Sequence, residues 1–281
     1  LLLAPAMILL ALTVLYPLGR GIWLSFQSYS LVNPMGNGFV GLDNYRTLLD
    51  SGTYRRVWKI TIIFVVASVA GQFLLGFFTA IVLNNRDIKP GVAARSLDRT
   101  HGGHLITLER IYNQQYGIFN YILKQAGIIP GFKAWIGDPD LAMFSVVLAN
   151  VWKGFPFHMI ILLAALQTIP LDVMEAAAMD GASAFERFRH IVLPYMRYII
   201  MIDLLISIIW TFQNFTLIWT MTEGGPADST TTLAISIYRT AFQGFDMGMG
   251  SAIGTTWLLA LFVFSAIFIR FVGGRARTQF E

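Results

Sequence analysis

The chain has 281 residues and a net charge of +4; 56% of its residues are hydrophobic and only 13% charged. A soluble domain carries about 25% charged residues, so this composition excludes an ordinary globule, and its aromatic and aliphatic content excludes a disordered chain. The absence of cysteine excludes a disulfide framework and a thiolate zinc site, and so small a positive charge in an apolar chain speaks for membrane orientation, not for nucleic-acid binding.

A bilayer core about 30 Å thick needs about 20 apolar helical residues. Residues 1–26 form the first such stretch. It lacks a charged n-region and is too long for a lone h-region, so it reads as a span rather than a signal peptide, with a short polar N-terminus expected ahead of it. Residues 27–57 are polar and turn-rich, with Asn33-Pro34 and Gly36-Asn37-Gly38. Residues 58–83 form the second span. Residues 95–111 follow as a polar stretch carrying Arg95, Asp98, Arg99, His101, His104, Glu109 and Arg110, which should not cross lipid. His101 and His104 lack further ligands and are not read as a metal site.

Residues 112–140 mix aromatics with Gly and Pro. Residues 141–166 form the next span, expected to be interrupted at Trp152-Lys153-Gly154-Phe155-Pro156, with Lys153 reaching a neighbour rather than serving as a ligand. Residues 198–221 span again, and Ser207, Thr211 and Asn214 recur there at helical spacing beside Gln213, Thr216 and Thr220. Asp203, the one acid in the five clear spans, is expected to snorkel or pair near one end. Residues 222–250 open on Glu223-Gly224-Gly225-Pro226, and residues 252–272 form the last span, with Gly250 and Gly254 as a close-contact pair. Hydropathy therefore gives five spans. The positive-inside rule asks for six, because Arg86 and Lys89 share a side with Arg187 and Arg189 only if the chain crosses once more between residues 83 and 141.

The segment 170–194 carries the most information. Pro170 breaks the preceding helix, Asp172 with Glu175 suggests a capping box, and Val173, Ala176 and Ala177 fall on one face. Gly181 suits a left-handed cap, Ser183 with Glu186 forms a second capping box, and Pro194 biases the residues before it towards termination. Small residues on a short exposed helix let another backbone approach closely.

Glu175-Ala176-Ala177, Gly181 and Ile191-x-Leu193-Pro194, at their spacing, resemble the EAA loop of binding-protein-dependent ABC importer permeases. Phe39-Val40-Gly41-Leu42-Asp43-Asn44-Tyr45, Tyr116-Gly117-x-x-Asn120-Tyr121, Trp152-Lys153-Gly154-x-Pro156-Phe157 and Gly224-Gly225-Pro226, followed by Tyr238-Arg239-Thr240-Ala241-Phe242, are similar to its carbohydrate branch of maltose and glycerol-phosphate-type permeases, and to the first of their two permease subunits. The resemblance implies an all-α polytopic bundle with six spans, residues 1–281 as one transmembrane domain, and a multi-pass place in a prokaryotic plasma membrane. It implies Glu175, Ala176, Ala177, Asp180, Gly181, Phe185 and Arg187 as ATPase-coupling residues. The implied partners are a second permease subunit, an ATPase dimer that binds ATP and magnesium, and an extracytoplasmic binding protein. The polar stretch at 95–111 departs from the family, as a frame error or misassigned segment or as a polar helix buried in protein.

Trp210, Gln213, Asn214, Phe215 and Trp219 are the expected substrate-pathway residues, since amides beside rings suit the hydroxyls and C–H face of a sugar. The competing role for such residues is interhelical hydrogen bonding. The chain holds no Gly-Lys dipeptide and hence no P-loop, so no catalytic residue and no cofactor is expected in it. An ion-coupled transporter or a membrane enzyme are the alternatives, with Asp203 as thin support for the first and no HExxH or GxSxG motif for the second.

Overall fold

The computed structural model describes residues 4–84 and 111–276. Most of the polar stretch 95–111, with His101 and His104, lies outside the described residues. Among those described, five helices are long and apolar enough to cross a membrane. They are α1 (Ala4–Leu24), α3 (Gly52–Leu83), α5 (Pro139–Gln167), α7 (Ala184–Phe212) and α10 (Met247–Ala276). Shorter pieces join them: α2 (Asp43–Asp50), α4 (Ile118–Gln125), α6 (Leu171–Met179), α8 (Thr216–Thr222) and α9 (Leu233–Tyr238).

The chain divides into two compact units. The first comprises Leu1–Ile62 and Thr231–Ile267. Here α1 leaves all its described side chains outside any core. After it, Gln27–Ser28 pairs antiparallel with Gly38–Phe39, with Gln27 opposite Phe39. The motif that follows is explained by this hairpin. Gly41 turns the chain at φ 60°, and Asn44 Nδ2 donates to the carbonyls of Ser25 and Gln27, each at 2.9 Å. Gly248 meets the hairpin so closely that a Cβ would stand 2.1 Å from the Gln27 carbonyl oxygen. Of the expected glycine pair, Gly250 lies against Ala241, where a Cβ would meet another at 2.7 Å, while Gly254 has room to spare.

The second unit, Ile63–Thr230 with the C-terminal residues from Phe268, holds the main helix packing. Helices in lipid gain little from apolar burial against each other, so close backbone approach matters more. Gly71 and Gly76 on α3 provide it: a Cβ on Gly71 would meet Val151 at 2.5 Å, and one on Gly76 would meet His158 at 2.6 Å. These contacts advance in the same direction along both helices, so α3 and α5 run parallel. The pair α5 and α7 runs antiparallel, closed at one end by a cluster of Leu162, Ala165, Leu166, Ile169, Val192 and Met196. Replacing Gly76 by Val should overpack the α3–α5 contact at a cost of about 1–3 kcal/mol, read as a lower melting temperature in detergent.

Three expected helix limits differ. Pro156 lies inside a continuous α5, losing one hydrogen bond without a break. Helix α7 passes through Pro194 by way of a π-helical turn at Phe188–Val192, which absorbs the missing N–H. The span expected over 198–221 instead stops at Phe212 and resumes as α8. Outside the bundle, Asn120 accounts for its motif: it is fully buried, donates to the carbonyls of Gln114 and Lys133, and accepts from Lys133 N–H and Trp135 Nε1.

Candidate functional site

Helix α6 and the turn after it stand between α5 and α7. Pro170, extended at ψ 134°, is the N-cap, because its ring favours a place at the edge of a helix over one inside it. Asp172 therefore sits in the first turn, where it favours the helix dipole, and the capping box expected with Glu175 does not form. Gly181 takes φ 81°, as a left-handed cap requires. The second capping box is present: Ser183 N–H donates to Glu186 Oε2 at 2.7 Å and Glu186 N–H to Ser183 Oγ at 3.3 Å. Ser183→Ala should cost about 1 kcal/mol of local stability, seen as faster amide exchange at residues 184–187.

The inward residues of α6 are Val173, Met174 and Ala177, not the expected trio with Ala176. Met174 packs on the cluster between α5 and α7. Glu175, Ala176, Asp180, Gly181 and Phe185 are exposed, and Arg187 is half-buried with its Nε unpartnered. Met179, at 90% exposure, extends this surface, which is thus small-residued and apolar with acids at its edge.

Beside the interior of α3, the middle of α5 and the end of α7 lies a cavity of about 540 Å³. Trp210, Gln213, Asn214 and Phe215 line it, as expected. Trp219 is not among its lining residues; it stacks on Phe215 with centroids 5.4 Å apart. Ser207, Thr211 and Thr216 line it too, while Gln72, Asn150, Lys153 and His158 were not expected there. Lys153 is exposed to the cavity at the middle of α5 and shows no hydrogen bond or ion pair among the described residues, contrary to the expectation of a neighbouring partner.

Backbone groups fix the amides. Leu217 N–H donates to Asn214 Oδ1 at 3.4 Å, so Asn214 Nδ2 faces and donates to Asn150 Oδ1 at 2.8 Å. That leaves Asn150 Nδ2 buried and without a hydrogen-bond partner. The Asn150 carbonyl can only accept, so Gln72 donates to it through Nε2 at 2.9 Å and turns Oε1 towards His158. Asp203 is buried mid-helix rather than near an end, and its Oδ2 lies 2.7 Å from His158 Nδ1. Pairing is therefore the outcome for this acid. His158 carried no sequence signal, because its partner lies 45 residues on.

A bundle of membrane-length helices around a polar cavity, with a short exposed helix at one end, is the architecture of a polytopic transport protein. The chain belongs to the family of binding-protein-dependent transport system inner membrane components, which matches residues 2–277. It is 33% identical over 274 residues to the trehalose/maltose transport system permease protein MalF of Thermococcus litoralis, covering 96% of this chain and 92% of that protein. It is 32% identical to the trehalose transport system permease protein SugA of Mycobacterium tuberculosis, covering 98% and 88%, and 32% identical to the sn-glycerol-3-phosphate permease protein UgpA of Escherichia coli, covering 99% and 95%. Its fold matches a crystal structure of a bacterial ABC transporter involved in the import of the acidic polysaccharide alginate, with a TM-score of 0.79, 20% identity, and coverage of 100% of this chain and 95% of that one. The chain is thus an all-α, multi-pass permease subunit of an ABC importer, not an enzyme.

Proposed function

We propose that this permease forms half of the translocation pathway for a carbohydrate or related polyol, handed over by an extracytoplasmic binding protein. The observation that carries this reading is the cavity wall, where the amides of Gln72, Asn150, Gln213 and Asn214 alternate with the rings of Phe157, Trp210 and Phe215. Amides match hydroxyl groups, and rings match the apolar face of a pyranose. The volume lies in the range of small-molecule sites. The names of the relatives, for trehalose, maltose and glycerol phosphate, support the same class.

The exposed residues Glu175, Ala176, Asp180, Gly181 and Phe185, with the half-buried Ala177 and Arg187 beside them, form the docking surface for an ATPase subunit on the cytoplasmic face of a prokaryotic plasma membrane. The ATPase dimer binds ATP and magnesium, and a second permease completes the pathway. Expressing the chain, tagged, with the permease and ATPase genes beside it tests the assembly. An ATPase should co-purify at a fixed ratio and hydrolyse ATP; a chain that purifies without it under mild detergent contradicts the reading.

A further inference from the structure

We propose that His158 and Asp203 are positioning residues: a hydrogen-bonded clasp that makes α5 and α7 move as one body, so that a displacement of the loop between them reaches the cavity wall. The proposal rests on the transport reading above and adds how this chain transmits the motion.

The clasp is placed for the task. His158 stands nine residues before the end of α5 at Gln167, and Asp203 ten residues after Leu193 of α7. At about 1.5 Å per residue His158 lies about 14 Å from the end of α5 and Asp203 about 28 Å from the start of α7 at Ala184, and their contact holds the two antiparallel helices together at that level. Below them the apolar cluster joins the two helices. Above them the seam turns polar, with Ser207 and Thr211 on α7 and Asn214 just beyond it, and it is held by Asn214 on Asn150 and by the Phe157–Trp210 ring contact at 5.0 Å. The clasp sits where the apolar packing hands over to the cavity.

Its hydrogen bonding is determined by its surroundings. Gln72 presents Oε1 to His158 Nε2 at 3.4 Å, and Ser207 Oγ lies 3.2 Å from the same nitrogen. Nδ1 and Asp203 Oδ2 lie 2.7 Å apart, while Asp203 Oδ1 is buried without a hydrogen-bond partner. Both residues are 1% exposed, and the edges of Phe73 and Phe157 close the imidazole in. A fully enclosed hydrogen bond suits a contact kept throughout a cycle, because breaking it would strand a buried acid.

The test uses the whole complex and needs no substrate. This chain lacks cysteine, so in a complex whose partner subunits are made cysteine-free, Gln213→Cys places a single thiol in the cavity. Its labelling by a membrane-impermeant maleimide is followed with and without ATP and vanadate. With the clasp intact the labelling rate should change about 10-fold between the two conditions. His158→Leu with Asp203→Leu, a pair that packs without stranding a charge, should assemble and hydrolyse ATP while the labelling change falls below about 2-fold. Asp203→Asn keeps a donor for Nδ1 and should retain the full change. The clasp is overturned if the leucine pair keeps that change, if Asp203→Asn loses it equally, or if assembly and hydrolysis vanish together with it. A complex with the native pair that shows no ATP-driven change counts against the transport reading itself.

Discussion

Gly181→Asp should cut ATPase recovery with the permease at least about 10-fold, a loss of about 1.4 kcal/mol in association, while the permease itself stays folded. At φ 81° most side chains are strained, but Asp is among those that best tolerate the left-handed region. A Cβ at this position meets nothing within 4 Å, so no neighbour in the chain is displaced. The new carboxylate instead lands on the exposed face proposed for docking, beside Asp180, where it adds like charge and must be desolvated when another protein covers it. Co-purification measures the loss, and an unchanged melting temperature in detergent separates docking from folding. Gly181→Ala, which adds no charge, should lose far less.

Asn214→Leu should lower uptake by about 10-fold or more with the complex still assembled. Asn214 ties three things together: it takes the Leu217 N–H at the start of α8, donates to Asn150, and lines the cavity. Interhelical hydrogen bonds in membranes contribute about 0.6–2 kcal/mol, too little for their loss to dissolve the bundle. The larger consequence is that Asn150 loses the partner that fixes its amide, so the wall changes its donors and acceptors at two positions. Uptake in proteoliposomes, normalised to assembled complex, checks the effect. Full transport by this variant would remove Asn214 from the pathway.

These two sites were not equally legible in the sequence. The loop 170–194 could be read because its signals are local: Pro170, Gly181 and the Ser183–Glu186 box each act within a few residues. Even there the start of α6 went to Pro170 rather than Asp172, since a fixed backbone angle outweighed a side-chain cap. The five long helices were legible because length and apolarity suffice. The break after Phe212 was not, because no Gly or Pro marks it; the nearest local signal is Asn214, whose side chain accepts from Leu217 N–H in the first turn of α8. Pro156 and Pro194 misled in the opposite sense, since helix packing and a π-turn carried α5 and α7 past them. The polar residues of α7 announced a pathway, but Gln72, Asn150 and His158 did not. Each looks like a stray polar residue in an apolar run until α3, α5 and α7 bring them together.

The most direct test of the account is uptake by the reconstituted importer. Proteoliposomes holding this chain, its partner permease and the ATPase dimer are given the purified binding protein, loaded with the radiolabelled carbohydrate it retains. The account predicts accumulation that requires ATP inside, the binding protein outside and this chain in the membrane. Accumulation that persists without the ATPase, driven by an ion gradient, would contradict it.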